Sequence, residues 1–195
     1  MTGRRPAGPG ATRRAAPAVR RRAAPEAVSE RAVREALADV PDPEIPAVSV
    51  VDLGIVHRVG VAAGRIRVEL LPTFAGCPAV ELMRAAAAER LAPLAADVEV
   101  TVTLDEPWTS DRITAAGRDK LRASGFAPPG PAASGPGGAR GLPLLALGIR
   151  PREPARCPWC GSRDTRLENP FGPTLCRAIH WCSACRQPFE EFKSV

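Results

Sequence analysis

A chain of 195 residues, 45% hydrophobic and 25% charged, can bury a sizeable core and has the composition of a globular protein. Its net charge of +6 invites a nucleic-acid interpretation, but seven arginines and no acidic residue fall within residues 1–25, leaving 20 basic and 21 acidic residues elsewhere. Composition therefore excludes a generally basic fold, and no apolar run approaches the ~20 residues of a membrane-spanning helix.

The first 26 residues consist mainly of arginine, alanine, proline and glycine without hydrophobic periodicity. Such a sequence cannot bury enough apolar surface to order itself, so we predict a disordered tail over residues 1–26. Six cysteines occur later, and no secretory signal pattern precedes them. Because four of them form C-x-x-C pairs, we expect metal ligands rather than disulfides, and a reducing, cytoplasmic setting.

Residues 27–126 alternate between helical and strand patterns. Their order predicts an α/β domain of the two-layer α+β kind, in which helices cover a small, mostly antiparallel or mixed sheet. Ser29 is a candidate cap for the first helix, and Thr109 or Ser110 for the last, which ends at Gly125. The predicted helices span 27–39, 78–94 and 110–123, and the predicted strands span 55–61, 66–71 and 97–104, the first two as a hairpin.

The turn over residues 72–79 lies between a predicted strand and an alanine-rich helix. Gly76 permits a tight turn, and Pro78 suits the first helical position because its missing N–H is not needed there. Cys77 is therefore predicted at the helix N-terminus, where free N–H groups and the helix dipole favour a thiolate of lowered pKa. Such a thiolate can attack an electrophile or bind a soft metal. The alternative is a small cap residue that packs like alanine.

Residues 127–155 are rich in proline, glycine and alanine and surround a short apolar patch at 142–147, which predicts a flexible linker. Beyond it, two C-x-x-C knuckles separated by 21 residues contain Cys157, Cys160, Cys182 and Cys185. Two such turns complete a tetrahedron around a soft divalent ion, which predicts a structural zinc ribbon over residues 156–195. A rubredoxin-like iron site is the alternative.

Two further donors, Cys176 and His180, lie between the knuckles. They are either spare core residues of the ribbon or a ligand pair for a second, labile metal. Phe171, Trp181 and Phe189 are predicted to fill the apolar interior of the ribbon.

Several motifs occur together in one order. Those of the first domain resemble the iron–sulfur assembly and metal–sulfur cluster protein family: Asp42-Pro43-Glu44-Ile45-Pro46, Val51-Asp52-Leu53-Gly54 and Thr73-x-x-Gly76-Cys77-Pro78. Later motifs narrow the resemblance to PaaD-type (also called PaaJ) subunits of phenylacetyl-CoA 1,2-epoxidase: Pro107-Trp108-Thr109-Ser110-Asp111, Phe171-Gly172-Pro173-Thr174-x-Cys176 and Pro188-Phe189-Glu190-x-Phe192. The resemblance spans residues 28–195, apart from the linker.

This resemblance implies an accessory role in aerobic phenylacetate breakdown, in which the chain helps to install or repair iron or an iron–sulfur centre. The implied partners are the oxygenase and reductase subunits of the epoxidase complex. The resemblance also implies that Cys77 is the functional cysteine, with Asp42, Glu44 and Thr73 beside it. The carboxylates would complete an iron site or tune the thiol, yet nearby negative charge raises a thiol pKa, a conflict that the sequence leaves open. Pro173 stands where a small hydroxyl residue is expected.

Three other functions are alternatives. A non-catalytic docking subunit would hold the oxygenase with its ribbon and residues 142–147, and Cys77 would then be structural. A nucleic-acid binder would use the basic tail, but the near-neutral remainder and eight aromatic residues argue against specific binding. An enzyme in its own right is least supported, because the sequence contains no nucleophile–base pair, phosphate loop or Rossmann glycine pattern.

Overall fold

The computed structural model describes residues 28–130 and 154–193. The predicted tail and most of the predicted linker, including its apolar patch, lie outside the described residues. Within the described ranges, every helix is too short or too polar to traverse a lipid bilayer. The elements are α1 (Glu30–Leu37), β1 (Val56–Ala62), β2 (Arg65–Leu70), α2 (Ala79–Leu91), β3 (Asp97–Val102), a 3₁₀ helix (Ser110–Arg112), α3 (Ala115–Ala123), β4 (Phe126–Ala127), β5 (Thr165–Asn169), β6 (Arg177–Cys182) and β7 (Gln187–Phe192).

The first sheet has the strand order β1-β2-β3 and is mixed, as predicted. β1 pairs antiparallel with β2 through a turn at Ala63 and Gly64, whose φ angles of 49° and 77° suit a two-residue hairpin. β2 pairs in parallel with β3, because α2 carries the chain back between them. The buried side chains of β2 pack with those of α1 and α2 in one core: Ile66, Val68 and Leu70.

The helix caps agree with the prediction at one helix and differ at another. The Ser29 side chain caps α1, as predicted. The predicted cap of the last helix is wrong, because Thr109 and Ser110 begin a 3₁₀ turn, and α3 begins after Thr114. Between the 3₁₀ helix and α3, the backbone of Ile113 is extended and its side chain is buried in the core. One continuous helix therefore cannot form there.

The second sheet has the strand order β4-β7-β6-β5 and joins the ribbon to the first domain. β4, which directly follows α3, pairs in parallel with β7 of the ribbon. Phe192, at the end of β7, is 2% exposed and belongs to the core of the first domain, where its ring meets Trp108 edge to face with centroids 6.0 Å apart. The β4–β7 strand pair and the buried ring of Phe192 therefore attach the ribbon to the first domain.

The interior of the ribbon differs in part from the prediction. Phe189 is buried beside two of the knuckle cysteines, as predicted, and Trp181 is half-buried. Phe171 is 61% exposed, and its ring centroid lies 5.4 Å from the Lys193 ammonium nitrogen. A cation over a ring stabilises the aromatic side chain at the surface, so Phe171 is not part of the ribbon interior.

Candidate functional site

Four cysteines of the ribbon form the first candidate site. The sulfurs of Cys157, Cys160, Cys182 and Cys185 all lie within 4.8 Å of one another. The Cys157–Cys185 and Cys160–Cys182 sulfur distances are 3.7 and 3.6 Å, near the roughly 3.8 Å edge of a tetrahedron with metal–sulfur bonds of about 2.3 Å. The four sulfurs therefore fit one tetrahedral metal ion, as their spacing predicts.

The two knuckles share one backbone pattern, which explains how each presents two sulfurs together. The Gly161 N–H donates to the Cys157 carbonyl and the Arg186 N–H to the Cys182 carbonyl, both at 2.9 Å. Both donor residues have positive φ, 74° and 60°. Glycine adopts this conformation freely, whereas arginine adopts it at a cost of order 1 kcal/mol.

The second candidate site surrounds Cys77. Pro78 is the N-cap of α2 and not the predicted first helical residue, because the helix begins at Ala79. Cys77 precedes this cap and so lies just before the helix N-terminus, as predicted. The backbone N–H groups of Ala79 and Val80 hydrogen-bond to its sulfur, and the residue is half-buried. Thr73 is buried at the start of the same turn, four residues before the cysteine. The thiol thus has polar neighbours and partial access to solvent.

The pKa of Cys77 is raised, so the prediction of a lowered value is wrong. Burial is the largest cause, and the negative charges of Glu44 and Asp42 raise the pKa further. Hydrogen bonds from Ala79 and Val80 lower it but do not compensate. The thiol is therefore mostly protonated at neutral pH.

The acidic loop, which we define as residues 42–46, contributes the two carboxylates that act on this thiol. Asp42 accepts hydrogen bonds from the backbone N–H groups of Glu44 and Ile45 at 2.8 and 2.9 Å, so its carboxylate shapes the loop itself. Burial raises the pKa of Asp42 in spite of these bonds. Glu44 is half-buried and lines a cleft beside the Cys77 turn. Of the two carboxylates, Glu44 is the one that faces the cleft.

Asp52 fixes the base of the acidic loop, where Pro41 forms a bridge with Ser49. Its carboxylate accepts from the Ser49 N–H and hydroxyl, both at 2.9 Å, and from Lys120 Nζ at 2.6 Å. Burial alone would raise the pKa of Asp52, but the bonds from Lys120 and Ser49 outweigh it and lower the pKa. Asp52 is therefore ionised at neutral pH and holds the loop that presents Glu44.

The ribbon loop between β5 and β6 reaches the acidic loop of the first domain. Cys176, at the end of this loop, has its Sγ 3.8 Å from Glu44 Oε2 and 3.2 Å from Thr174 Oγ1. A cleft of about 380 Å³ lies between the ribbon loop and the Cys77 turn and is lined by residues of both: Glu44, Gly76, Pro78, Pro173 and Leu175. The segments that carry Cys77, Glu44 and Cys176 therefore meet at one cleft.

The structure does not bring Cys176 and His180 together. His180 lies four residues further along the chain in β6, which corresponds to about 13 Å of extended strand. Its Nε2 is 2.9 Å from Glu191 Oε2, and its ring stacks on Phe189 with centroids 5.3 Å apart. Of the two roles considered for His180, the structure favours a core residue.

One side chain and one backbone N–H group, for which the sequence predicted no role, hold the Cys176 loop. Arg177, 9% exposed, donates to Thr174 Oγ1 at 2.9 Å and pairs with Glu190 at 3.0 Å. The Lys193 backbone N–H donates to the Cys176 carbonyl at 2.8 Å. The sequence places an arginine at the start of a ribbon strand, but the burial of Arg177 and its pairing with Glu190 on β7 depend on the tertiary structure.

Comparison with known proteins agrees with this two-part organisation. Residues 30–103 match a family described as iron–sulfur cluster assembly protein, and residues 147–193 match a family described as PaaD zinc beta ribbon domain. Among solved structures, a DUF59 domain from Bacillus anthracis is 26% identical, with a TM-score of 0.45 over 47% of this chain and 90% of its own. A conserved hypothetical protein from Thermotoga maritima is 30% identical, with a TM-score of 0.43 over 49% of this chain and 95% of its own.

A curated relative covers both parts of the chain. A protein of Escherichia coli (strain K12), provisionally named as the D component of 1,2-phenylacetyl-CoA epoxidase, is 36% identical over 160 residues. The aligned region is 82% of this chain and 89% of the relative. The chain therefore belongs to the PaaD-type family of phenylacetyl-CoA epoxidase subunits, with an iron–sulfur cluster assembly domain followed by a PaaD-type zinc ribbon.

Proposed function

We propose that this chain is an accessory subunit of the phenylacetyl-CoA epoxidase system and assists the assembly of an iron or iron–sulfur centre through Cys77. The family and the description of the first domain support the context of this role. One observation carries the proposal: Cys77 is a half-exposed thiol at a helix start, beside a cleft lined by the carboxylate-bearing Glu44. Its sulfur is separate from the four that the ribbon groups together.

The raised pKa of Cys77 suits a cargo that must leave again. Iron binding would replace the thiol proton, which passes to water, and reprotonation would favour release. Thiolate and carboxylate donors suit soft and hard metals respectively, so Cys77 with Glu44 forms a mixed donor set of moderate affinity. Asp42 and Thr73 support this set by shaping the loop and the turn.

The ribbon has a different role in this proposal, since its four sulfurs would hold a permanent structural zinc ion. We expect the oxygenase and reductase subunits to be the partners, and the six free cysteines fit a reducing, cytoplasmic compartment. Within residues 28–130 and 154–193 we identify no further group of metal ligands that is already closed.

The docking alternative also has an observation in its favour. Phe171 and Leu175, on the ribbon loop, are 61% and 57% exposed. Two exposed apolar side chains on one loop fit a contact with another protein. In this alternative the ribbon loop binds the oxygenase, and the protonated Cys77 only packs against the core.

A cell-based substitution separates the two functions. Cys77→Ala, in a phenylacetate-degrading host that lacks its own PaaD-type protein, should abolish phenylacetyl-CoA epoxidation and lower the iron content of the purified oxygenase. Ala75→Ser, an exposed change in the same turn, is the matched control and should retain both. Full activity with Cys77→Ala at normal protein levels would reject the maturation role and leave docking.

A further inference from the structure

We infer that Cys176 is a second sulfur ligand for the iron species held by Cys77, so that the ribbon completes the cargo site across the cleft. This inference rests on the proposed function for the identity of the cargo. It assigns to the ribbon a role beyond its own four-cysteine group: the ribbon loop contributes a donor to a site that begins in the other domain.

The position of Cys176 is the first support. Its sulfur is 3.8 Å from Glu44 Oε2, and Thr174 Oγ1 lies 3.2 Å away. The negative charge of the same glutamate raises the pKa of both Cys77 and Cys176, so both thiols lie within its electrostatic influence. Both cysteines are half-buried and pack against the same core. The three segments that carry the two thiols and the carboxylate thus meet at one cleft.

The rigidity of the ribbon loop is the second support. The Lys193 N–H fixes the Cys176 carbonyl at 2.8 Å, and the Gly172 N–H donates to the Arg177 carbonyl at 2.9 Å. The Arg177 side chain ties Thr174 to β7 through Glu190. These bonds hold in place the backbone that carries Cys176.

The charge of the site favours a divalent cation. Two thiolates and Glu44 would carry three negative charges, and a ferrous ion would leave a net charge of −1, with the Arg177 guanidinium nearby. The donors are not yet gathered: among the described residues only the ribbon cysteines have all their ligand atoms within 4.8 Å. The proposed site therefore closes only when a metal ion draws these side chains together, as expected of a site that loads and releases its cargo.

Titration of the full-length, zinc-loaded chain with Co²⁺ under anaerobic conditions tests this inference. Co²⁺ bound by thiolates absorbs in the near ultraviolet, with an intensity that grows with the number of sulfur ligands. Zinc should remain in the ribbon because it binds such sites more tightly than cobalt. The wild type should show a two-thiolate band, and Cys176→Ser should show roughly half of it. Its Co²⁺ affinity should fall about 10-fold or more, since even outer-sphere residues contribute about 10- to 100-fold.

Leu167→Ser is the control, because it adds a hydroxyl at an exposed position of β5 that does not line the cleft, and it should leave the band unchanged. Zinc content of one ion per chain in Cys176→Ser, and in a second variant Cys176→Ala, shows that the ribbon is intact. A full band in Cys176→Ser, with the band lost only in Cys77→Ser, would overturn this inference and leave the proposed function standing. Wild-type spectra in all variants would reject both.

Discussion

At the scale of single residues, the surroundings of Cys77 decide its chemistry more than its place at a helix start. The N–H groups of Ala79 and Val80 act as the sequence predicts and favour the thiolate. Burial and the charges of Glu44 and Asp42 outweigh them and raise the pKa. The thiol is therefore protonated at neutral pH, which argues against a nucleophile that is already charged and fits the metal ligand that we propose.

Glu44→Gln should speed the alkylation of Cys77 by iodoacetamide at pH 8 by roughly 2- to 5-fold, because loss of a negative charge lowers the thiol pKa and raises the thiolate fraction. In both proteins the rate should rise about tenfold per pH unit while the pH is below the pKa. Mass spectrometry of the Cys77 peptide measures the rate. Glu81→Gln, an exposed change on α2, is the control. Equal rates in wild type and Glu44→Gln would show that Glu44 does not act on this thiol.

The sequence predicted the local part of this site well. The turn, the helix start at Cys77 and the four clustered cysteines follow from glycine, proline and C-x-x-C spacing, which act over a few residues. The contact of Cys176 with Glu44 did not follow from sequence, because it joins residues 132 positions apart. The raised pKa was missed for the same reason, since its causes are tertiary.

At the scale of elements, β7 has two roles. It forms the centre of the second sheet between β4 and β6, and its last side chain enters the core of the first domain. The sequence indicated Phe192 only as part of a motif, because nothing in a strand pattern shows which core a terminal aromatic residue will join. Helix and strand order was predicted correctly in the first domain, whereas the cap of α3 required knowledge that Ile113 is buried.

Phe192→Ala should lower the free energy of unfolding by about 3–5 kcal/mol, because it removes a buried ring that contacts Trp108. It should also loosen the ribbon, since the variant loses a buried contact that attaches the ribbon and keeps the β4–β7 pair. Urea denaturation followed by tryptophan fluorescence measures the change. Phe171→Ala, at an exposed ring, should stay within about 0.5 kcal/mol of wild type. Similar small losses in both variants would mean that Phe192 does not attach the ribbon.

At the scale of the whole molecule, the chain is an assembly domain and a ribbon that share one core edge and one cleft. The shared core fixes the orientation of the ribbon, and the orientation brings its loop to the Cys77 turn. Metal loss from the ribbon should therefore affect the proposed cargo site, although no ribbon knuckle cysteine belongs to it.

The most direct test of the proposed cargo site is the iron retained per chain after anaerobic incubation with Fe²⁺ and desalting. Wild type and Cys77→Ala are compared, and zinc is determined in the same samples as a measure of the intact ribbon. We expect the wild type to retain iron in addition to the ribbon metal, and Cys77→Ala to retain the ribbon metal alone. Equal iron in the two proteins would contradict the role assigned to Cys77.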